Sequence, residues 1–309
     1  MQGENQEGGN LPKEIEVLAH SWDMFYKTSF KGDEEALLRT LLDNYQMPVT
    51  HLNNFLNVSH GGPQTFLEQN LLRFPQSKIP SAAYGSCMHK AVELLYINLR
   101  KDGFIPGLEQ VLGWFEKELK MKRLSDEDYK LFLKRGFDAL AIYYKERMST
   151  FNPTDKIEVN FKNQGVLIGE ANITGRIDKM VDVGAGELEV VDFKTGKASE
   201  KWEGKTPHEK IKLHNYKRQI IFYKLLVENS RDFMQKGIVK TGHLEFLEPK
   251  NGKIIDLSLL IEDKEVERTI RLIEVVYNKI MNLDFPDVSE YSQDLKGTLA
   301  FEESLLGLK

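Results

Sequence analysis

The spacing of apolar side chains changes once along the sequence, from a helical pattern to a strand-like pattern. This change limits the possible folds more than any other feature. From residue 81 to about residue 146, apolar side chains recur at three- and four-residue intervals, the spacing of amphipathic helices. Asn152-Pro153 ends this pattern. Residues 157–161 then alternate apolar and polar side chains, as a half-buried strand does. Helices therefore come first, a sheet follows, and further helices close the chain.

The same patterns, applied along the chain, predict a fold class. Helices are predicted at residues 13–26, 33–44, 50–56, 65–72, 81–100, 108–120, 126–146, 210–228 and 261–281. Strands are predicted at residues 157–161, 171–183, 187–194, 243–248 and 253–260. Turns at residues 184–186 and at Asn251-Gly252 each join two antiparallel strands. We expect an α/β fold, with a small mixed central sheet flanked by helices and a helical N-terminal portion.

The N-terminal region is expected to stand apart from this domain. Residues 1–11 are polar and glycine-rich, lack the apolar stretch of a secretory signal, and are predicted to form a disordered tail. We interpret residues 1–43 as this tail and the N-terminal helices, a candidate linker to a missing segment, and residues 44–309 as the folded domain. No apolar run approaches the roughly 18 residues of a membrane helix, so no membrane contact is expected.

Composition narrows the environment and the partners. The 309 residues are 41% hydrophobic and 29% charged, as in a globular protein able to bury a substantial core. Cys87 is the only cysteine. It excludes intrachain disulfides, cysteine-rich zinc sites and an iron–sulfur cluster held by this chain, and favours a reducing, cytoplasmic setting. With a net charge of −5, any nucleic-acid contact must be a local basic strip beside an acidic site.

The densest chemical signal is the segment Val190-Val191-Asp192-Phe193-Lys194. Asp192 and Lys194 lie two apart in a predicted strand, so they project from one face. A carboxylate at a strand end can hold a hard divalent cation, and the Phe193 carbonyl offers a further oxygen ligand. The lysine can reach a scissile phosphate. On its own, this triplet fits an exposed strand-end ion pair better than a catalytic site.

A second carboxylate changes that balance. Asp178 stands fourteen residues before Asp192, and the turn at residues 184–186 brings the two together. Two carboxylates converging at a strand end repel each other unless one is protonated or a cation lies between them. The competing interpretation pairs Asp178 with Arg176 or Lys179 in solvent. Such surface pairing accounts well for a single aspartate, but less well for two aspartates that converge at one strand end.

Two helical pairs complete the set of candidate residues. Gly85 and His89 lie four apart on one helix face, where the glycine leaves room for another backbone beside the imidazole. Gln219 and Tyr223 also lie about one turn apart, where an amide and a phenol can hold phosphate oxygens or stack a base. Taken singly, His89 fits a structural histidine, and Gln219 with Tyr223 fits an ordinary amphipathic helix.

Four pairs in this order resemble a known nuclease family. Gly85/His89, Gly175/Asp178, Asp192/Lys194 and Gln219/Tyr223 match the Gly-x-x-x-His, Gly-x-x-Asp, Asp-x-Lys and Gln-x-x-x-Tyr motifs of the RecB-like branch of the PD-(D/E)XK nucleases. Residues 47–55, 61–75 and 81–84 are similar to the start of the nuclease domain that ends UvrD-like helicases. Relatives with an iron–sulfur cluster carry four cysteines, which this chain lacks. No helicase motif is present.

The resemblance implies a metal-dependent deoxyribonuclease, the exonuclease part of a DNA repair or recombination helicase–nuclease. It implies one or two Mg²⁺ or Mn²⁺ ions and no iron–sulfur cluster. The implied ligands are His89, Asp178, Asp192 and the backbone carbonyl of Phe193. Lys194 would offset charge on the phosphoryl oxygens, and Gln219 and Tyr223 would orient the strand. Glu158, on the first predicted strand, would be an outer carboxylate.

The DNA contact is expected on a local basic strip. Between Lys201 and Lys224, lysine, arginine and histidine outnumber the two glutamates, which suits a phosphate backbone. The predicted DNA-binding residues are Gly85, Arg176, Lys212, Lys217, Arg218 and Tyr223, the last by stacking on a base. The competing interpretation of this charge run is a solvated helix face.

Three alternatives remain open on the sequence alone. A catalytically silent DNA-binding module of a repair complex would keep the fold, although a broken motif would then be expected and none is seen. A nuclease acting on RNA shares the same metal chemistry. A structural α/β protein would make the four motifs a coincidence. The expected partners are DNA, as single strands or duplex ends, and a helicase segment or subunit.

Overall fold

The structure, a computed structural model, describes residues 33–77 and 79–308. The chain divides into two compact units, Met1–Tyr45 and Gln46–Lys309. The second unit contains the sheets and every candidate site residue that the sequence singles out. The candidate site belongs to the second unit alone.

The first unit contributes one helix to the described part of the chain, α1 (Asp33–Leu42). This helix agrees with the prediction for residues 33–44. The predicted tail at residues 1–11 and the predicted helix at residues 13–26 lie outside the described residues. Among the described helices of both units, none combines the length and apolar composition needed to cross a bilayer.

Most helices of the second unit occupy the positions that apolar spacing predicts. The helix predicted at residues 65–72 instead begins at Gly62 and continues as a π-helix over Leu67–Leu71, and the helix at Leu295–Leu305 was not among those predicted. In chain order the helices are α2 (Val49–Leu56), α3 (Gly62–Phe66), α4 (Pro80–Asp102), α5 (Leu108–Met121), α6 (Asp126–Arg147), α7 (Pro207–Glu228), α8 (Asp263–Met281) and α9 (Leu295–Leu305). α7 begins three residues before its predicted start. Thr206 and Glu209 explain this, because each side chain accepts a hydrogen bond from the backbone N–H of the other.

The strands form a mixed central sheet and a smaller second sheet. In chain order they are β1 (Met47–Pro48), β2 (Lys156–Asn160), β3 (Val166–Ile168), β4 (Ala171–Thr174), β5 (Arg176–Gly184), β6 (Glu187–Lys194), β7 (Ile238–Phe246) and β8 (Asp256–Leu260). The central sheet has the order β2-β5-β6-β7-β8 and the small one β1-β4-β3. In the central sheet only β6 and β7 run parallel. The predicted fold class is confirmed.

One predicted strand is wrong in extent. The segment 171–183 was expected to be continuous, but it divides at Gly175 into β4 and β5, which belong to different sheets. A Cβ at Gly175 would lie 2.7 Å from the Leu226 side chain. The backbone at Gly175 therefore packs so closely against α7 that only a glycine fits without displacing Leu226.

Both predicted hairpins are confirmed. β5 and β6 pair antiparallel across Gly184 and Gly186, and each glycine has a positive φ. β7 and β8 pair antiparallel around Asn251 and Gly252, which also have positive φ, as a tight hairpin turn requires. The first hairpin matters most for function, because it sets the strand carrying Asp178 beside the strand carrying Asp192.

The two faces of β6 contact different layers. Val191 and Phe193 pack into the apolar core formed with α4, α5 and α6. The intervening positions face α7, the helix that connects the parallel strands β6 and β7: a Cβ at Gly242 of β7 would meet both Ile220 of α7 and Val190 of β6. Period-two alternation therefore directs Asp192 and Lys194 towards α7.

Candidate active site

Asp192 is a buried carboxylate near the C-terminal end of β6, with 2% of its surface exposed. Its Oδ1 accepts two hydrogen bonds from α7, one from Gln219 Nε2 at 2.8 Å and one from Tyr223 Oη at 2.9 Å. Gln219 Nε2 also donates to Tyr223 Oη. The amide and the phenol, one helical turn apart, therefore fix the orientation of the Asp192 carboxylate.

Lys194 completes this group from the same face of β6. Its Nζ lies 2.7 Å from Asp192 Oδ2 and donates to Gln219 Oε1 at 2.8 Å. Burial alone would lower the pKa of Lys194, but the Asp192 carboxylate outweighs it and the pKa is raised. The ammonium is therefore charged and held in place between Asp192 and Gln219.

Asp178 stands on β5, one residue beyond the Lys179–Val191 pair that joins β5 to β6. Its Oδ2 accepts a hydrogen bond from the Phe193 backbone N–H at 2.7 Å. Its Oδ1 lies 3.5 Å from Nδ1 of His89, which comes from α4. The hairpin and α4 thus bring together residues about ninety positions apart in the sequence.

Glu158 occupies a more central place than the sequence suggested. Ligand atoms of His89, Glu158 and Asp178 all lie within 4.8 Å of one another, a spacing that can hold a metal ion. Glu158 lies on β2 between the partners of Lys179 and Ile177, and its φ of 54° is rare in a strand. This local backbone strain sits at the acidic cluster, where strained residues are often functional.

Charge and burial explain why this cluster suits a cation. Burial, and then the neighbouring Asp178, raise the pKa of Glu158. Burial also raises the pKa of Asp192, against the opposing effect of Lys194. Asp192 Oδ2 is buried and accepts no hydrogen bond at a favourable angle, although Lys194 is close. A divalent cation near Asp178 would offset the burial and mutual repulsion of these carboxylates. Carboxylate oxygens and an imidazole nitrogen are suitable ligands for such an ion.

A cavity of about 620 Å³ gives access to the acidic cluster. Its lining includes Gly85, His89, Glu158, Asp178 and Thr195. A Cβ at Gly85 would lie 2.9 Å from Thr195 Oγ1, so the glycine leaves space for the residue that follows Lys194. Gly85 was expected to admit a neighbouring backbone. What it admits is the Thr195 side chain.

Arg218 does not belong to the exposed basic strip, and this part of the prediction is wrong. Its side chain is 4% exposed and is ion-paired with Glu302 of α9, which is fully buried. It also donates to Asn53 Oδ1 at 2.7 Å. The guanidinium therefore joins α2, α7 and α9 inside the protein and is not part of an exposed strip.

Tyr223 also differs from one expectation. It is 4% exposed and its hydroxyl is committed to Asp192, so its ring has no free face on which a base could stack. Burial, followed by the Asp192 charge, raises the pKa of the phenol well above its usual value. Tyr223 is thus a neutral donor that orients a carboxylate.

The remaining predicted DNA-binding residues lie nearer the surface. Arg176 is exposed and forms an ion pair with Glu158 at 3.1 Å. Lys212 and Lys217 are half-buried on α7, where their ammonium groups lie over the rings of Tyr216 and Trp202. Tyr216 was missed in the sequence. Its helical spacing could have indicated it, because Tyr216 lies about one turn before Gln219 on the same helix face as Gln219 and Tyr223.

This geometry agrees with the family to which the sequence can be assigned. The sequence model of the PD-(D/E)XK nuclease superfamily matches residues 56–297. That range contains the acidic cluster, the Asp192–Lys194 pair and the part of α7 that holds them. Because the match covers most of the chain, the chain belongs to the PD-(D/E)XK nuclease superfamily.

Two solved structures are similar in outline. A candidate exonuclease from Eubacterium rectale is 14% identical, with a TM-score of 0.49, and the alignment covers 84% of this chain and 89% of that chain. The protein SSO0001 is 15% identical, with a TM-score of 0.27, and the alignment covers 73% of this chain and 86% of that chain. Neither likeness carries a functional argument. No curated protein matches the chain.

Proposed function

We propose that this protein is a divalent-metal-dependent deoxyribonuclease that hydrolyses DNA phosphodiester bonds. One observation carries the proposal: a chain of the PD-(D/E)XK nuclease superfamily brings a His89–Glu158–Asp178 cluster beside a buried, oriented Asp192–Lys194 pair. These five residues come from four elements, α4, β2, β5 and β6, and a structural ion pair would need only two residues.

The roles of the residues follow from their positions. His89, Glu158, Asp178 and Asp192 would hold one or two ions, with the Phe193 carbonyl as a further predicted ligand. A bound Mg²⁺ or Mn²⁺ supplies Lewis acidity and makes water a stronger nucleophile. Lys194 offsets the negative charge that develops on the phosphoryl oxygens. Gln219 and Tyr223 hold the Asp192 carboxylate in a single orientation.

The finer assignment rests on the RecB-like motifs. We propose a cytoplasmic exonuclease that works in DNA repair or recombination with a helicase segment or subunit, and whose nuclease domain starts near residue 44. The silent-module alternative is disfavoured, because none of the four sequence motifs is broken. RNA cleavage would use the same groups, and a substrate comparison separates it from DNA cleavage.

The decisive experiment is a cleavage assay with end-labelled single-stranded and duplex DNA and matched RNA, in Mg²⁺, Mn²⁺ or EDTA. Wild type is expected to cut DNA only with metal, and Asp192→Asn is expected to be inactive. Asp102→Asn, at an exposed position at the end of α4, is the matched control and should retain activity. DNA binding without cleavage under every metal condition would instead establish the silent module.

Mn²⁺ is expected to support faster cleavage than Mg²⁺ at equal concentration. A nitrogen ligand such as His89 among oxygen ligands suits Mn²⁺ better than Mg²⁺, which prefers oxygen donors alone. Initial rates measured at saturating metal test this point. Equal or lower rates with Mn²⁺ would place His89 outside the set of ligands, without affecting the assignment of the carboxylates.

A further inference from the structure

A second and larger pocket adjoins the Lys194 side of the active site. Its volume is about 910 Å³, and Lys194 and Gln219 form part of its wall. The rest of the wall comes mainly from α2 and the turn after it, and from the first half of α7. A pocket of this size holds a small-molecule-sized group such as a nucleotide. We call it the amide pocket, because Asn53, Asn54, Asn57, Asn215, Gln69 and Gln293 line it.

The charge of the amide pocket favours a polyanion. Among the described residues that line it, none is aspartate or glutamate, although the chain carries a net charge of −5. Two lysines line it, Lys194 at the active-site end and Lys212 on α7. The cavity at the acidic cluster, by contrast, is lined by carboxylates. A phosphodiester chain can therefore enter the amide pocket without the repulsion it would meet elsewhere.

Tyr216 supplies an aromatic surface between the two lysines. Its half-buried ring lies 4.1 Å from Lys194 Nζ and 5.5 Å from Lys212 Nζ. Lys194 is fixed by Asp192 and Gln219, whereas no ion pair engages Lys212 within the described chain, so Lys212 can turn towards a phosphate. An aromatic ring flanked by cations is the arrangement that binds a base and its neighbouring phosphates in single-stranded nucleic acid.

The buried Arg218 determines how two of the amides are oriented. Its guanidinium donates to Asn53 Oδ1 at 2.7 Å and to Asn215 Oδ1 at 3.3 Å. Both oxygens therefore face Arg218, and Asn53 Nδ2 donates to the Asn215 carbonyl at 3.5 Å. Asn215 Nδ2 has no partner among the described residues and remains a donor in the pocket wall. A fixed amide donor of this kind suits an acceptor on a base edge.

We propose that the amide pocket binds the unpaired base of the nucleotide next to the phosphate at Lys194, so that the preferred substrate is single-stranded DNA. This inference rests on the proposed nuclease function. In a duplex, the pairing edge of the base is occupied and its faces are stacked, so a paired base would have to leave the helix to reach Tyr216 and Asn215. An unpaired strand enters without that cost.

The test compares two strands that differ only in their bases. Full-length protein in EDTA is titrated, by fluorescence anisotropy, against a labelled single-stranded oligonucleotide and against a base-free sugar–phosphate strand of the same length and charge. The base-bearing strand should bind about fivefold to a hundredfold more tightly, the equivalent of one stacked base. Tyr216→Leu and Asn215→Ala should each reduce this ratio, whereas Asn98→Ala, at a half-buried asparagine of α4, should preserve it.

Equal affinity for the two strands would overturn the proposal. So would a duplex that binds as tightly as the single strand, or a ratio unchanged in both pocket variants. If Tyr216→Leu does not fold, Asn215→Ala decides. The two proposals can fail separately. Metal-dependent cleavage without base-dependent binding would contradict only the role proposed for the amide pocket. Base-dependent binding without cleavage under any metal condition would contradict only the nuclease assignment.

Discussion

Lys194→Met should lower kcat for DNA cleavage by about a hundredfold to a thousandfold, the usual effect of removing one group that stabilises developing charge. Methionine keeps most of the length of the side chain but removes the ammonium that lies 2.7 Å from Asp192 and bonds Gln219. KM should change less than kcat, because the charge on the phosphoryl oxygens grows mainly in the transition state. Single-turnover cleavage gives the chemical step directly.

A control lysine separates this effect from a general loss of positive charge. Lys240, an exposed residue of β7 paired with Glu187, is replaced by methionine in the same way and should leave kcat unchanged. The thermal midpoint of Lys194→Met reports whether the fold persists. A kcat within a few-fold of wild type, in a variant that remains folded, would contradict the role given to Lys194.

Glu302→Gln should lower the free energy of unfolding by about 3–5 kcal/mol, the cost of breaking a buried ion pair by removing one partner. Glu302 is fully buried on α9 and pairs with Arg218 and Arg268. The amide would leave both guanidiniums without their counter-charge. Urea denaturation measures the loss, and Glu303→Gln, at an exposed neighbouring position, should have little effect.

The pH dependence of stability provides a second test of the same pair. Burial would raise the pKa of Glu302, but Arg218 and His214 outweigh it and lower the pKa from 4.5 to about 2. A lowered folded-state pKa gives stability that is complete above about 4.5 and is lost as the pH falls towards about 2. The wild type and Glu302→Gln should therefore converge at low pH. A constant difference across this range would contradict the ion-pair explanation.

The arrangement of the candidate site could be predicted because its residues follow short-range rules. Two-residue spacing placed Asp192 and Lys194 on one face of β6, and four-residue spacing placed Gln219 and Tyr223 on one face of α7. A two-glycine turn brought Asp178 beside them. These periods are properties of the backbone, so they are readable without any knowledge of the tertiary partners.

The errors arose where a residue's role depends on a distant partner. Arg218 stands in a basic run, and its burial is decided by Glu302, 84 residues further along the chain. Tyr223 was predicted to stack on a base, but β6 and α7 pack together so that its hydroxyl donates a hydrogen bond to Asp192. Glu158 was predicted to be only an outer carboxylate, because its left-handed backbone conformation has no signature in the sequence.

Short strands were missed for a different reason. β1 has two residues and β3 has three, too few for an alternating pattern to stand out. Their pairing with β4 is set by the break at Gly175, which releases β4 from the central sheet. The prediction failed here because the strands are short, whereas for Arg218 it failed because the partner is distant in the sequence.

Lys212, Tyr216, Gln219 and Tyr223 lie along one face of the helix α7. Each added or deleted residue turns everything beyond it by roughly 100° about the helix axis. One insertion between Tyr216 and Gln219 would therefore point the aromatic ring and the carboxylate-holding amide in different directions. Length variation in homologous chains should accordingly fall in the loops on either side, leaving the intervals of four, three and four residues along this rod intact.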